Sequence, residues 1–357
     1  MAHEELSPLN ITPGAIRFNT DSMKLEYFRI GMEGGSTSSY AGIGTLAAGE
    51  WVQITTDSPD IQTGGTRGVL FGGYTGSALV NIIEYANLDS TGNTIDFGNL
   101  GGTQYEGDAF ASRTRGVFAG GAPDGTLINY VTIASTGDSV DFGNLQVGAA
   151  QLGALSNSTR GIVAGGSPYP AGINRIEYVT IASTGDSVDF GDMINSEPAV
   201  NTSASSTRGI IAGGNSPKTD VIQYITISTL GNAADFGDMT VARGGASSAS
   251  NSIRSIIAGG GSPSADLGSI EYITIATNGN GISFGDLTTA TASFTSSGGA
   301  SSPTRCVFFG RHVSNTYTNT IDYVQIMSTG DAVDFGDLVG GVRNRIGTCS
   351  NGHGGLG

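Results

Sequence analysis

The sequence has little positive charge. Lysine occurs only at Lys24 and Lys218, and the formal net charge of the 357 residues is −15 at pH 7. Nucleic acids and anionic lipid surfaces are bound through clustered positive charge, so neither is expected as a partner. No run of 18 apolar residues occurs, and residues 1–18 lack the apolar segment of a secretion signal. We therefore predict neither membrane insertion nor export by a signal peptide.

Cysteine and histidine are also scarce. Cys306 and Cys349 are the only cysteines, and both are predicted to be buried thiols. The three histidines, at positions 3, 312 and 353, show neither a metal-ligand spacing nor an adjacent nucleophile motif. The sequence therefore predicts no metal centre, no cofactor and no catalytic residues, and the protein is expected not to be an enzyme.

Glycine, by contrast, is abundant. It fills 58 of 357 positions, whereas charged residues make up only 13% of the chain. Because the glycines show no Gly-X-Y period, a collagen-like chain is excluded, and 38% hydrophobic residues argue against a disordered one. A folded, turn-rich β protein remains.

A three-part phrase occurs six times. Each copy begins with Arg-Gly, three apolar residues and a glycine pair, continues with a tyrosine inside an apolar run, and ends with a Gly-Asx turn before Asp-Phe-Gly. The last copies depart slightly, since Ser283 replaces one aspartate and Cys306 and Arg311 replace glycines. The arginines are Arg67, Arg115, Arg160, Arg208, Arg254 and Arg305; the tyrosines are Tyr85, Tyr130, Tyr178, Tyr224, Tyr272 and Tyr323; the phenylalanines are Phe97, Phe142, Phe190, Phe236, Phe284 and Phe335.

The spacing of this phrase predicts the fold. Successive arginines are 45 to 51 residues apart, which is typical of a four-stranded propeller blade. We predict an all-β protein in which residues 61–357 form a six-bladed β-propeller. The C-terminal residues 348–350 are expected to pair with residues 68–71 and so close the ring. The repeated tyrosines and phenylalanines are expected to be mostly buried between blades.

The repeated charged residues allow more than one interpretation. The six arginines either line a central channel and bind an anion or bond within and between blades, and their presence in every copy favours the structural role. Five copies of Asp-Phe-Gly exclude the magnesium-binding loop of a kinase. The run Asp186, Asp189 and Asp192 is interpreted as a solvated rim rather than a calcium site, because a spacing of three alternates the carboxylates between strand faces.

The stretches after the glycine pairs vary in length and composition. Loops of this kind on a constant scaffold are common sites of recognition. Tyr169, Arg311, His312 and Tyr317 are the most distinctive residues there, and we take them as candidate ligand-binding residues, since an exposed aromatic ring can stack on a sugar or an apolar partner. Solvated turns without a function remain the alternative.

Residues 1–60 lie outside the repeat. Their pattern predicts a β-hairpin and a third strand, too small to bury a core alone. Ile16, Phe18, Tyr27 and Trp51 belong to an alternating apolar face that we expect to dock against a partner, either a second copy of the chain or another protein.

Two resemblances add to this interpretation. The glycine pairs followed by a tyrosine resemble the kelch type of propeller, although the later tryptophan is absent and the phenylalanine of Asp-Phe-Gly takes its place. The phrases at residues 13–20, 24–27 and 50–54 resemble β-rich segments of tail, fibre and other virion proteins of tailed bacteriophages. The ending Asp-Phe-Gly-Asp-Leu is similar to propeller-like structural proteins of marine cyanobacterial phages.

The phage resemblance implies a function. The chain would be a non-enzymatic virion structural protein, assembled in the host cytoplasm and later exposed outside the cell on a tail, baseplate, fibre or capsid surface. Residues 1–60 would dock to other virion proteins, and the propeller would face outward, where a host-surface glycan is an expected partner. The alternatives are a carbohydrate-binding or hydrolytic propeller and an intracellular peptide-binding scaffold.

Overall fold

The computed structural model describes residues 15–19, 24–30, 49–53, 66–168, 172–291, 298–313 and 316–357. The chain divides into two compact units, Met1–Ile61 and Gln62–Gly357. In the first unit, strands β1 (Ile16–Asn19), β2 (Lys24–Ile30) and β3 (Gly49–Gln53) form one antiparallel sheet in chain order. The predicted hairpin and third strand are therefore confirmed. Phe28 is buried, whereas Ile16 is 66% exposed.

The second unit is a six-bladed β-propeller, as predicted, and each blade is a four-stranded antiparallel sheet. The innermost strands are β7 (Asp108–Ala111), β11 (Gly153–Ser156), β15 (Asn201–Ala204), β19 (Ser247–Ser250), β23 (Gly299–Ser301) and β27 (Gly347–Ser350). The second strands are β4 (Arg67–Phe71), β8 (Arg115–Ala119), β12 (Arg160–Ala164), β16 (Arg208–Ala212), β20 (Arg254–Ala258) and β24 (Arg305–Val313).

The outer half of each blade consists of a third and a fourth strand. The third strands are β5 (Ile82–Asn87), β9 (Leu127–Thr132), β13 (Arg175–Thr180), β17 (Val221–Thr226), β21 (Leu267–Thr274) and β25 (Thr316–Gln325). The outermost strands are β6 (Ile95–Asn99), β10 (Val140–Asn144), β14 (Val188–Asp192), β18 (Ala234–Asp238), β22 (Ile282–Thr291) and β26 (Val333–Asp337). A 3-10 turn, Gly354–Leu356, follows β27.

Both ends of the propeller unit contribute to one blade. Strand β27 pairs with β4 in the order β27-β4-β5-β6, with Cys349 opposite Val69 and Ser350 opposite Gly68. This confirms the predicted closure. The inner edge of β4 is thereby covered, so this blade presents no more open backbone than the others.

The core lies between blades rather than within one of them. In each second strand the four residues after the arginine are buried, because neighbouring sheets cover both faces. Phe71 and Phe118 of adjacent blades, for example, pack with their ring centroids 5.8 Å apart. This two-sided burial explains why the second strands are apolar without alternation.

The repeated aromatic residues differ in burial. The six phenylalanines are buried, as expected, with exposures of 2–4%. The six tyrosines are less completely buried, but most of each side chain is covered, as expected, and each packs against one of the core clusters. Each tyrosine meets its phenylalanine edge to face, as in Tyr85 and Phe97 at 6.0 Å, and a guanidinium lies over its ring, as in Arg67 at 4.8 Å from the centroid of Tyr85.

The glycine of Asp-Phe-Gly is required by a close approach between blades. Gly98 has a φ of +152°, and a Cβ at this position would lie 2.3 Å from the carbonyl oxygen of Gly137 in the next blade. The Gly137 amide donates a hydrogen bond to the Phe97 carbonyl over 2.8 Å. A side chain at Gly98 would therefore push the turn that contains Gly137 away from strand β6.

Candidate functional site

The propeller has two different faces. The loop face presents the loops after the glycine pairs and the connections from each outer strand to the next inner strand. The turn face presents the Gly-Asx turns and the tight turns between inner and second strands. Thr66, where the described part of the propeller begins, lies at the turn face, and its carbonyl accepts a hydrogen bond from Leu88. The variable loops therefore lie on the face opposite Thr66.

Aromatic rings from distant parts of the sequence meet on the loop face. We call Tyr74, Tyr105, His312 and Tyr317 the tyrosine cluster. The ring of Tyr74 lies 5.7 Å from Tyr317 in an edge-to-face contact and 6.1 Å from Tyr105 in a tilted one. His312 and Tyr317 lie opposite each other on β24 and β25, with ring centroids 4.8 Å apart. All four side chains are half-buried, so each retains exposed surface.

An ion pair adjoins the tyrosine cluster. The guanidinium of Arg345 lies 5.7 Å from the ring centroid of Tyr74 and 5.5 Å from that of Tyr105. Arg345 also forms an ion pair with Glu106 at 2.7 Å, and Gln151 donates a hydrogen bond to the same carboxylate. Because the two charges offset each other, the cluster offers aromatic and polar contacts without a strong net charge.

Two buried amide oxygens beside the cluster have no partner. Gln104 and Asn344 are 3% and 4% exposed, and Gln104 Oε1 and Asn344 Oδ1 accept no hydrogen bond within the described residues. Asn344 exchanges backbone hydrogen bonds with Tyr74, and the Gln104 carbonyl accepts one from Gly73. A buried acceptor without a partner is costly, so both oxygens are suited to a donor from a ligand or from water.

The predicted ligand-binding residues have different environments. The structure brings His312 and Tyr317 together in the tyrosine cluster. It does not bring Arg311 there: this side chain is 3% exposed and forms an ion pair with Asp322 at 2.8 Å, because it points into the blade beside β22. Tyr169 lies outside the described residues. Of the predicted docking residues, Ile16 is exposed, and the side chains of Phe18, Tyr27 and Trp51 lie outside the described set.

Sequence reasoning missed most of this site. Tyr74 directly follows a glycine pair, so its position in a variable loop was a usable signal. Tyr105, Gln104 and Arg345 lie in connections between outer and inner strands, and nothing in the repeat marks them.

The six repeated arginines have the structural role that was favoured. Each guanidinium lies over the tyrosine of its own blade, at 4.2–4.9 Å from the ring centroid. Each Nη1 also donates a hydrogen bond to a backbone carbonyl of the next blade, at Ile133, Ile181, Ile227, Ile275, Ile326 and Leu88 in chain order of the arginines. None of them lines the channel between the inner strands. The anion-binding alternative is therefore wrong.

A second repeated position joins the blades on the loop-face side. The residue before each repeated tyrosine is an acid or an amide: Glu84, Asn129, Glu177, Gln223, Glu271 and Asp322. Glu271, for example, accepts a hydrogen bond from the Thr240 amide of the preceding blade and forms an ion pair with the fully buried Arg243 at 2.9 Å. Burial lowers the pKa of Arg243, and the Glu271 carboxylate opposes that shift. The sequence analysis did not use this pattern, although it is visible in every copy.

The innermost strands surround a narrow polar channel. Side-chain hydroxyls join neighbouring strands across it, as in the 2.7 Å bonds from Thr202 to the Ala154 carbonyl and from Ser301 to the Ser250 carbonyl. Near the turn face, His353 Nε2 lies 2.9 Å from the Ala111 carbonyl, and its Nδ1 accepts a hydrogen bond from Gly355. Burial lowers the pKa of His353 to about 4, so the imidazole is neutral at pH 7.

Asp108 lies at the loop-face end of this channel. Its carboxylate accepts hydrogen bonds from the amides of Ala154 and Ala109, both at 2.8 Å. Burial raises the pKa of Asp108 to about 7, although these hydrogen bonds act in the opposite direction. Asp108 follows Tyr105 and Glu106 closely in the sequence, so a single segment joins the tyrosine cluster to the mouth of the channel.

The described residues contain no group of three or more histidine, cysteine, aspartate or glutamate side chains placed to hold a metal. No helix among them is long and apolar enough to cross a membrane. Comparison with protein-family models and with curated proteins found no match, so the fold is established by the structure and no family is assigned.

Proposed function

We propose that this chain is a non-enzymatic structural and recognition protein of a tailed-bacteriophage particle and that it binds a host-surface saccharide through the tyrosine cluster. The observation on which this proposal rests is the cluster itself: Tyr74 and Tyr105, from two loops, and Tyr317, from the loop-face end of β25, converge on the loop face. Contributions from several loops of a rigid propeller are typical of a binding site, because the scaffold fixes the geometry at low entropic cost.

The chemistry of the cluster favours a neutral saccharide. Aromatic rings pack against the C–H faces of sugars, and the hydroxyl groups of the half-buried tyrosines can form hydrogen bonds with sugar hydroxyls. An acidic saccharide would need a free cation, but Arg345 is already paired with Glu106. A glycosidase needs two carboxyl groups facing the substrate. Because the Glu106 carboxylate is held by Arg345, the cluster supports binding rather than hydrolysis.

The virion assignment rests on other features. The N-terminal phrases resemble phage virion segments, and the exposed Ile16 on β1 is consistent with a surface that is covered in an assembly. The net charge of −15 is consistent with a particle surface that does not bind the phage genome.

Two measurements test the two parts separately. Immunogold labelling of intact particles should place the protein on their surface; a protein found only in the unassembled lysate fraction would refute the virion role. The full chain should bind neutral glycans on an array without releasing products. Tyr317→Ala and Tyr105→Ala should each weaken that binding by about tenfold or more, whereas the exposed turn-face variant Leu230→Ala should not. Equal binding by all variants would refute the tyrosine cluster as the site.

A further inference from the structure

A small cavity lies at the mouth of the channel on the loop face. It has a volume of about 40 Å³ and is lined by innermost strands and adjoining residues of all six blades. The polar side chains that line it are Asp108, Asn201, Thr202, Ser248 and Thr348. Such a volume is enough for one ion or for one to two water molecules.

The hydroxyl groups of the cavity have already donated their hydrogens. Thr202 donates to the Ala154 carbonyl, Ser248 to the Thr202 carbonyl and Thr348 to the Gly299 carbonyl, at 2.7, 2.8 and 2.9 Å. Each hydroxyl has one hydrogen, so its oxygen can offer only lone pairs to whatever occupies the cavity.

Asn201 likewise presents an acceptor. It is 3% exposed, and its Nδ2 donates to the Ala212 carbonyl over 3.1 Å. This bond fixes the amide so that Oδ1 is the other polar atom, and Oδ1 has no hydrogen-bond partner within the described residues. Buried amide oxygens normally have a partner, so one is missing here.

Asp108 is the charged side chain of the cavity. It accepts two backbone hydrogen bonds, but no arginine or lysine of the described residues forms an ion pair with it. A carboxylate in a partly buried site is costly without a counter-charge. The cavity therefore combines one carboxyl group, which is negatively charged above its pKa, with a set of oxygen acceptors.

We propose that the channel mouth binds one hard cation, held by Asp108, Asn201 Oδ1 and the neighbouring hydroxyl oxygens. The hydroxyl groups have no hydrogen left for an anion, and the Asp108 carboxylate would repel one. Calcium suits the site best as a probe, since it accepts six to eight oxygen ligands, including neutral ones, in flexible geometry. With one carboxylate the affinity should be weak, on the order of 10⁻⁴ to 10⁻³ M. The site is independent of the proposed saccharide binding.

Thermal unfolding of the full chain tests the proposal. CaCl₂, MgCl₂ and NaCl are titrated separately at constant ionic strength, with tetramethylammonium chloride as the balancing salt. We expect a saturable rise in Tm with calcium that Asp108→Asn abolishes. Asp141→Asn removes the same charge from the exposed rim and should retain the rise. Saturation by magnesium or sodium instead would support a cation site of different selectivity. No rise in Tm, or the same rise in the parent chain, Asp108→Asn and Asp141→Asn, would overturn the proposal.

Calorimetry on the unmodified chain provides a second measurement that does not depend on folding of a variant. Titration with calcium should show one site per chain. Heats that do not saturate, or several equivalent sites, would indicate adventitious binding to the acidic surface and would also overturn the proposal. Asn201→Asp adds a second carboxylate to the cavity and should tighten calcium binding at least fivefold, whereas unchanged affinity would count against Asn201 as a ligand.

Discussion

Arg115 Nη1 donates hydrogen bonds to the carbonyl oxygens of Ile181 and Ala182 in the next blade, both at 3.0 Å. Its guanidinium also lies 4.7 Å from the ring centroid of Tyr130 in its own blade. One side chain therefore joins two sheets that share no strand pairing. Equivalent arginine bonds recur around the ring. Contacts between blades at the ends of the third strands therefore stabilise the propeller in addition to its core.

Replacing this arginine should weaken the ring. Arg115→Ala removes the stacking contact and two hydrogen bonds, and we expect a loss of about 2 kcal/mol in the free energy of unfolding. Arg115→Lys keeps the charge but not the planar guanidinium, so it should recover only part of the loss. Denaturant unfolding measures both. Met327→Ala, at an exposed turn-face site, is the control. Equal stability of Arg115→Ala and the control would contradict the bridging role.

The Asp-Phe-Gly phenylalanines should be essential to the core. Phe190 is 3% exposed, and Phe190→Ala should cost about 3–5 kcal/mol because it leaves a cavity between blades. Val188→Ala on the same outer strand is the matched control, since Val188 is 47% exposed and its loss should cost less than about 0.5 kcal/mol. Chemical denaturation compares them. A loss below about 1 kcal/mol for Phe190→Ala would show that this ring does not support the core.

Closure by β27 should be required for cooperative unfolding. A chain truncated after Gly341 lacks β27, so the inner edge of β4 is left open. We expect calorimetry to show a broadened or multistep transition in place of one cooperative transition. The control is a deletion of residues 1–60, which also shortens the chain but leaves all six blades complete. Retention of a single sharp transition after loss of β27 would contradict the importance of ring closure.

The pH dependence of stability should reveal Asp108. Its pKa rises from about 3.8 in the unfolded chain to about 7 in the folded protein. Between these values the folded state binds more protons, so this group's contribution to stability is complete below pH 4 and is lost as the pH rises through 7. Because the carboxylate is partly exposed, we expect a difference on the order of 1–3 kcal/mol.

Asp108→Asn isolates this effect. The free energy of unfolding of the variant and of the parent chain is compared in the presence of a chelator. The variant should gain stability relative to the parent chain as the pH rises from 4 to 8. Other titrating groups, including His353, are common to both proteins and cancel in that difference. A difference that does not change with pH would contradict the raised pKa of Asp108.

The N-terminal segment should be needed for attachment to the particle. A propeller without residues 1–60 should fold with a normal Tm, because its blades are complete, but should fail to join particles. Quantitative mass spectrometry of purified particles measures its copy number. Incorporation at the normal level would assign docking to the propeller instead.

Much of the fold could be predicted from the sequence because each blade repeats the same local requirements. The Arg67, Tyr85 and Phe97 positions recur at a nearly constant spacing, which indicated a four-stranded blade, and the six copies gave the number of blades. Ring closure by Cys349 and Ser350 followed from counting strands, since the first copy lacked an inner strand. In a repeat protein, neighbouring units make the same contacts, so a periodic pattern contains the information about the interface.

The candidate sites depended on tertiary structure instead. Tyr74 and Tyr105 lie in two different loops and Tyr317 lies on β25, and only ring closure brings Tyr317 beside Tyr74. Side-chain direction also decided the outcome: Arg311 and His312 are adjacent in sequence, yet one turns into a buried ion pair and the other onto the loop face. The sequence by itself therefore determined the repeating scaffold, where local patterning acts. Only the closed ring decided which non-repeating side chains meet, because their contacts depend on strand direction and on distances across blades.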